Sequence, residues 1–241
     1  MRSRGGEFRI VTRRRICFAG GLMTERDSMY AYYSDRAPYM AKGLEIAPSG
    51  QLVEIIAELT AQAKERTVLE IACGTGYFTR FVGPVSRRTT ATDVSEEMLG
   101  VARSLRIPNA RIVHDDAYRL ESVGDERFDF GFAMHWASHI PRDRWHEFFT
   151  TFHSRLKPGA TVMLVDDIRR PNDADPWYSK LATRDTYEIR HLPNGDDYEI
   201  VKTFFSADDL RTRLQPYADN LQLRYDRPRW WLSYDIRRLK G

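Results

Sequence analysis

The chain has 241 residues, of which 42% are apolar and 29% are charged, with 37 basic residues against 34 acidic ones. This length suits one large α/β domain with its own core, and residues 130–141, the longest run without Asp, Glu, Lys or Arg, are too few for a membrane span. Two cysteines, Cys17 and Cys73, exclude a disulfide framework and a structural zinc cluster, so we expect a reducing, cytoplasmic location.

Residues 1–22 form a basic leader with six arginines and one glutamate, so the rest of the chain carries a net charge of −2. That slightly acidic remainder argues against nucleic-acid binding, which needs a basic stripe on the folded domain. The leader resembles a twin-arginine signal without a proper apolar region, or a transit peptide without the usual serines. We favour a disordered or wrongly assigned start before Met23, followed by a single domain over 23–241.

After a tyrosine-rich segment, apolar residues at helical spacing predict a helix over 52–63. From Thr67 onward, short β-branched runs alternate with amphipathic helices, which is typical of a doubly wound, mostly parallel sheet. Strands are predicted at 67–73, 89–92, 111–114, 128–133 and 161–165. Helices are predicted after Gly76, from Ser95, and before the stop at 157–159, the last with an inner face of Trp145, Phe148, Phe149, Phe152 and Leu156.

The last third of the chain has a different pattern. Alternating runs over 186–192 and 198–203 flank Asn194 and Gly195, which predicts a β-hairpin. Ser206, with Asp209 three positions later, is a helix-capping pattern. Two further strands are predicted at 221–225 and 230–235.

The stretch from Val68 to Arg80 predicts a strand, a glycine turn at Gly74 and Gly76, and a helix, where backbone can approach a nucleotide-like ligand closely. A nicotinamide or flavin fingerprint needs a small residue where Thr79 stands. Glu70 is also unfavourable for a pyrophosphate, which prefers a positive helix terminus. The pattern therefore favours a ligand that has an amino group and a sulfonium and no phosphate.

Carboxylates follow the next two predicted strands. Asp93 lies 23 residues after Glu70, at the end of the second strand, where a carboxylate accepts the hydrogens of ribose hydroxyls. Asp115 and Asp116 follow the third strand and precede Ala117, where a carboxylate can accept from the amine of adenine. The order and spacing are more specific than any one of these features.

These ordered motifs, together with 156–159, resemble those of the class I S-adenosylmethionine-dependent methyltransferases. The most similar group is the small-molecule enzymes like those of ubiquinone and menaquinone biosynthesis. The resemblance implies a Rossmann-like, doubly wound α/β fold: a seven-stranded, mostly parallel sheet with one antiparallel strand, plus the hairpin in a substrate-side insertion over 168–204. It also implies S-adenosyl-L-methionine as cofactor and S-adenosyl-L-homocysteine as product.

The resemblance further implies a residue set for the cofactor. The glycine turn would line its methionine part, Asp93 would hold the ribose, and Asp116 the adenine edge, with Asp115 as the competing candidate. A tyrosine of an N-terminal helix would close over it. The expected cofactor residues are Tyr33, Tyr39, Glu70, Ala72, Cys73, Gly74, Gly76, Asp93, Val94, Met98, Asp115, Asp116, Ala117, Ala133 and Met134.

His135 and His139 follow the fourth predicted strand, at the sheet edge where ligands bind. We favour a structural role for each, such as helix capping, and keep each as a candidate general base, His135 before His139. Asp166 and Asp167, at the end of the fifth strand, can accept a substrate proton or cap a loop. Residues expected to contact substrate, or else to be plain core aromatics, are His135, Trp136, Trp177, Tyr178, Tyr198 and Trp230.

The expected function is methyl transfer to an oxygen, nitrogen or carbon of a small molecule, aromatic or a secondary metabolite. The loop at 133–136 lacks the Asn/Asp-Pro-Pro and Pro-Cys patterns of nucleic-acid methyltransferases. Alternatives are a protein that binds S-adenosylmethionine as a module or for another reaction, and a nicotinamide oxidoreductase. We expect no metal, no nucleic-acid partner, and a monomer or homodimer.

Overall fold

The computed structural model describes residues 25–169, 177–179 and 185–237, so the predicted basic leader lies outside the described residues. The helices are α1 Glu25–Gly43, α2 Gln51–Ala63, α3 Thr79–Val82, α4 Glu96–Ser104, α5 Trp145–Ser154 and α6 Ala207–Leu214. The strands are β1 Thr67–Ile71, β2 Arg88–Asp93, β3 Ala110–His114, β4 Phe128–Met134, β5 Leu156–Asp167, β6 Trp177–Ser179, β7 Thr186–His191, β8 Asp197–Val201, β9 Ala218–Asp226 and β10 Arg229–Ile236.

The main sheet has seven strands in the order β3-β2-β1-β4-β5-β10-β9. The first five are paired in parallel, and β10 is antiparallel to both β5 and β9. The chain order reverses between β1 and β4, so the loops that follow these two strands diverge at one edge of the sheet. Open α/β sheets bind ligands in the crevice at this point. The predicted fold class is confirmed.

Apolar side chains cover both faces of the sheet. Phe148, Phe149 and Phe152 of α5 are fully buried in one core cluster. Ile55 and Leu59 of α2 are fully buried in the other, together with strand residues such as Phe130 and Phe132. Because both faces of the sheet are buried, its parallel strands have almost continuous runs of apolar residues in the sequence.

The predicted hairpin is present and gains a third strand. Strands β6, β7 and β8 form a separate antiparallel sheet in that order. This small sheet packs against α1, where Tyr32 is buried with Leu192, Tyr198 and Ile200. The sequence did not predict β6 because three residues are too few to show an alternating pattern.

Helix α1 is the N-terminal helix that the resemblance implies, although the residue pattern does not show it. Its 19 residues have little amphipathic periodicity and include Pro38, so the sequence alone does not predict a helix. Contacts hold it instead: Ser28 Oγ donates to the carbonyl oxygen of Glu199 at 2.7 Å, and Ser34 Oγ lies 3.1 Å from Ser95 Oγ. Among the described helices, none combines the length and apolar content needed to cross a membrane.

Three predicted boundaries are corrected. Strand β1 ends at Ile71 and not at residue 73, because Ala72 already has a positive φ of 54°. The helix expected after Gly76 is the four-residue α3, followed by a 3-10 turn at Gly83–Val85. Leu156 is the first residue of β5, paired with Phe128, and does not lie on α5.

The packing of Gly131 in the middle of β4 gives a test of this fold. A methyl group there would lie 2.7 Å from Phe152 and 2.9 Å from Leu156, closer than side chains approach. We expect Gly131→Ala to lower the free energy of unfolding by about 1–3 kcal/mol through overpacking. Denaturant unfolding of the purified chain measures it.

Gly100→Ala is the matched control. Gly100 is exposed on α4, and nothing lies within 4 Å of the added methyl. Alanine should therefore stabilise the chain by about 1 kcal/mol through helix propensity. A Gly131→Ala variant as stable as the parent protein would show that β4 is not packed against α5 as described.

Candidate functional site

Strained backbone marks the carboxyl edge of the sheet. Ala72 after β1 and His135 after β4 have positive φ values of 54° and 57°, which non-glycine residues rarely adopt. The turn between Ala72 and α3 has Gly74 and Gly76 at positive φ. A Cβ on Gly76 would lie 3.1 Å from Ala102. Such strain concentrates at functional sites, where the surrounding structure maintains it.

Asp93 organises the loops on the β1–β2 side. Its Oδ2 accepts the backbone N–H of Gly74 at 2.8 Å, and its Oδ1 accepts the N–H of Ser95 at 2.9 Å. Ser95 in turn caps α4 by accepting the N–H of Met98 at 3.2 Å. Burial raises the pKa of Asp93, although these backbone donors oppose the rise. One half-buried carboxylate thus joins the glycine turn to the start of α4.

Glu70 lies near the end of β1, just before the glycine turn. It is 2% exposed, and Thr79 Oγ1 donates to its Oε2 at 2.6 Å. Burial, with a further contribution from Asp93, raises the pKa of Glu70 to about 8. Cys73 is also buried, and burial raises the pKa of its thiol well above the ordinary value, which argues against a reactive thiolate.

The structure distinguishes Asp115 from Asp116. The buried Asp115 carboxylate accepts backbone N–H groups of Asp116, Glu121 and Ser122 at 2.7–3.2 Å, so it holds a turn. Asp116 is half-buried and its Oδ1 accepts the N–H of Tyr118 at 3.0 Å. We therefore prefer Asp116 as the ligand-facing carboxylate.

The remaining expected cofactor residues differ in how exposed they are. Val94 is 38% exposed beside Asp93, whereas Met98 is 1% exposed on the buried face of α4. Ala133 and Met134 are buried at the end of β4. Ala117 and Tyr39 are half-buried, the latter on α1. All of these assignments stay predictions.

A buried charge cluster lies at the ends of β4 and β5. Asp166 accepts the N–H of Ser138 at 2.8 Å through Oδ2, and through Oδ1 it accepts the N–H of Asp167 at 2.8 Å and Lys202 Nζ at 3.1 Å. Lys202 Nζ also donates to Ser138 Oγ at 2.9 Å. Burial opposes ionisation of both partners, but their attraction outweighs it: the pKa of Asp166 falls and that of Lys202 rises.

Asp167 extends this cluster to the surface. Its Oδ2 lies 3.4 Å from Lys202 Nζ and 3.5 Å from His135 Nδ1, and its Oδ1 lies 3.8 Å from Arg229 Nε. Burial would raise its pKa, yet these cationic or donating neighbours hold the pKa of Asp167 well below the usual range. The carboxylate is therefore ionised at neutral pH.

Side chains of His135, Asp166 and Asp167 offer atoms within 4.8 Å of one another, which is the kind of group that can bind a metal ion. Lys202 already supplies a positive charge to both carboxylates. We therefore assign no metal to the cluster, and the expectation of no metal stays a prediction.

His139 does not have the surroundings of a catalytic base. It is 3% exposed, its Nδ1 lies 2.6 Å from the carbonyl oxygen of Val201, and its Nε2 lies 2.7 Å from the hydroxyl of Tyr33. A carbonyl only accepts, so Nδ1 carries the hydrogen and Tyr33 donates to Nε2. Burial, with help from Lys202, lowers the pKa of His139 to about 3, and burial raises that of Tyr33 to about 12. Both nitrogens of His139 are thus engaged within the fold, and the expected contact of Tyr33 with the cofactor stays a prediction.

The structure distinguishes substrate contacts from core aromatics for part of the expected set. Trp230 is fully buried in the main core cluster, so it cannot contact a substrate. Tyr198 is 5% exposed and donates its hydroxyl to Asp35, which joins the insertion to α1. Trp136 is half-buried beside Tyr118. The side chains of Trp177 and Tyr178 lie outside what the structure describes.

Lys202 and Ser138 are the site residues that the sequence analysis missed. Lys202 follows Tyr198 and Ile200 at two-residue spacing, so it lies on the buried face of the β8 run. A lysine on such a face needs an acidic partner, and Asp166 and Asp167 had already been placed at the ligand-binding edge. That signal was available in the sequence.

The comparisons with known proteins agree with this geometry. Residues 68–159 match a family described as a methyltransferase domain, and this range includes the glycine turn, Asp93 and His135. The solved complex of DhpI with SAH superposes with a TM-score of 0.68 at 26% identity, covering 86% of this chain and 94% of that one. Residues 68–159 are a class I methyltransferase domain. The predicted family is confirmed.

Curated relatives of the methyltransferase domain are O-methyltransferases. A malonyl-(acyl-carrier protein) O-methyltransferase of Hamiltonella defensa is 23% identical over 69% of this chain, and a ubiquinone biosynthesis O-methyltransferase of Xanthomonas campestris is 27% identical over 64%. The matches span 58% and 63% of those proteins. The CcbJ methyltransferase of Streptomyces caelestis shares the fold, with a TM-score of 0.62 at 16% identity over 85% of this chain and 97% of CcbJ.

The raised pKa of Glu70 gives the ligand-free domain a specific pH dependence. Between the ordinary pKa of 4.5 and the folded value of about 8, the folded state keeps a proton that the unfolded state loses. Stability should therefore fall as pH rises through this window. We expect Glu70→Gln to remove part of that fall, up to a few kcal/mol, since one pKa unit corresponds to about 1.4 kcal/mol.

Unfolding curves from pH 5 to pH 9 measure this difference. Glu45→Gln, at an exposed position, is the control and should follow the parent protein. Parallel pH profiles for Glu70→Gln and the parent would contradict the described burial of Glu70.

Proposed function

We propose that the chain is an enzyme that transfers the methyl group of S-adenosylmethionine to a small molecule. The observation that carries this proposal is the carboxylate of Asp93, which connects the glycine turn to the start of α4 at the sheet edge where such folds bind ligands. The methyltransferase relatives and the SAH complex of DhpI support the cofactor.

The residues present fit this cofactor. Nothing lies within 4 Å of a Cβ built on Gly74, so the turn leaves open space at the edge of the sheet. Gly74 and Gly76 would bind the methionine part, Asp93 the ribose, and Val94 and Asp116 the adenine. When bound, the sulfonium supplies an electrophilic methyl group with a neutral thioether as leaving group. The chain's own task is alignment and exclusion of water.

We expect a small acceptor because helix α1 covers this edge of the sheet. Helix α1 contacts β8 of the insertion through Ser28 and the start of α4 through Ser34, so it crosses between the proposed substrate and cofactor sides. Ordered elements at this place commonly control access to an active site. A cytoplasmic location, a monomer or homodimer, and the absence of a nucleic-acid partner belong to the same proposal.

Replacement of Asp93 tests the cofactor site. Asp93→Ala removes two backbone hydrogen bonds and the acceptor proposed for the ribose. We expect SAH affinity to fall by about 30- to 1000-fold, corresponding to roughly 2–4 kcal/mol for lost charge-assisted bonds. Isothermal titration calorimetry of SAH into the full chain measures it.

Asp125→Ala, in the loop before β4, is the control and should bind SAH like the parent. NADH is the control ligand and should not bind. An Asp93→Ala variant with unchanged SAH affinity would remove Asp93 from the site, and a parent chain that binds NADH but not SAH would overturn the proposed function.

A further inference from the structure

We propose that His135 is a general base for the methyl acceptor, that Asp167 positions it, and that the acceptor bears a proton that this base must remove, as the hydroxyl group of an alcohol or phenol does. This inference rests on the proposed methyl transfer and names its substrate class. His135 begins the loop after β4, at the same sheet edge as the glycine turn, with its ring centroid 6.2 Å from that of Phe78, which follows the turn. Its side chain is 34% exposed.

The backbone directs His135 toward this edge. Its positive φ of 57° turns the chain immediately after β4, and its N–H donates to the carbonyl oxygen of Val165 at 2.7 Å. The neighbouring β5 ends at Asp167, whose carboxylate Oδ2 lies 3.5 Å from His135 Nδ1. A histidine held beside an ionised acid at a ligand-binding edge is the arrangement that a positioned base needs.

The pair determines which imidazole nitrogen can act. Asp167 is ionised, since Lys202 and Arg229 face it from β8's end and from β10, and an ionised carboxylate only accepts. Nδ1 of His135 therefore carries the hydrogen, and Nε2 keeps a lone pair. A base oriented by a third group in this way is the arrangement that activates hydroxyl nucleophiles in other enzymes.

Lys202 connects this pair to the insertion. It is 3% exposed and bonds to Asp166, Asp167 and Ser138, so its ammonium stabilises both carboxylates next to His135. The charged groups that face His135 are thus Asp166 and Asp167 of β5, with Lys202 and Arg229 behind them. The insertion therefore contributes Lys202, which positions the carboxylates beside His135.

An alcohol or phenol acceptor needs such a base, because its oxygen holds a proton at neutral pH. The acceptor oxygen forms the new bond to the methyl carbon as its proton passes to His135 Nε2. The electron pair of the breaking carbon–sulfur bond stays on sulfur, which leaves neutral SAH and a protonated imidazole that later releases its proton to water. A carboxylate or halide acceptor would need no proton removal.

The other acid–base groups at this edge are less suitable. Both nitrogens of His139 are engaged with Val201 and Tyr33. Glu70 is buried and accepts from Thr79. Among the groups described at this edge, His135 combines exposure with an orienting carboxylate.

Nitrogen-15 NMR of histidine-labelled full chain, saturated with SAH, tests the pair without a known acceptor. We expect the Nδ1–H tautomer of His135 to predominate at pH 8 and Asp167→Asn to convert it to a mixture. Asp197→Asn is the matched control, since Asp197 pairs with the exposed His191 and should change only that ring. A His135 that carries its hydrogen on Nε2, or one unchanged by Asp167→Asn, overturns the proposal.

Turnover with a panel of phenols and alcohols tests the base itself. On the hydroxyl acceptor that is methylated fastest, His135→Gln should lower kcat by about 100-fold or more, with SAH affinity changed less than threefold. Equal kcat for His135→Gln and the parent, or a parent chain that methylates carboxylate or halide probes but no hydroxyl, overturns the inference. Failure to bind SAH would instead count against the proposed function, so the two failures are distinguishable.

Discussion

The loops at one edge of the sheet depend on the carboxylate of Asp93. A glycine turn has exposed backbone donors and little side-chain packing of its own, so an acceptor from a neighbouring strand fixes its position. Asp93 accepts one donor from the turn and another from Ser95 at the start of α4. Because β1 and β2 are parallel, paired neighbours, the loops that follow them begin side by side. A single carboxylate therefore reaches both loops.

A second constraint acts on the other side of the edge. Asp166 is fully buried, and a buried carboxylate without a partner is strongly destabilising. Lys202 supplies the opposite charge from the insertion, while Ser138 supplies a backbone donor. The ion pairs of Lys202 with β5's terminal carboxylates thus join the three-stranded insertion to the main sheet, in addition to its packing against α1. The same need places an ionised Asp167 beside His135.

The parallel sheet could be predicted because its strands and amphipathic helices have distinct apolar periods and its turns have glycine at the necessary positions. The hairpin was equally clear from Asn194 and Gly195. Helix α1 could not be found from pattern, since contacts with β8 and α4 stabilise it in place of an apolar stripe. The two readings of Trp230 stayed open because sequence alone does not tell whether a strand aromatic faces the core or a pocket, and the structure buries it in the core.

The sequence predicts those site residues that lie at or just after the end of a strand. Asp93, Asp116 and His135 follow strands, and the structure brings them to one edge. The positive φ of His135 arises from tertiary contacts, which no local pattern encodes. A crystal structure of the full chain with SAH would show whether Asp93 and His135 belong to one site. We expect the ribose hydroxyls within hydrogen-bond distance of Asp93 and the sulfur at the same sheet edge as His135; SAH bound away from the glycine turn would contradict this arrangement.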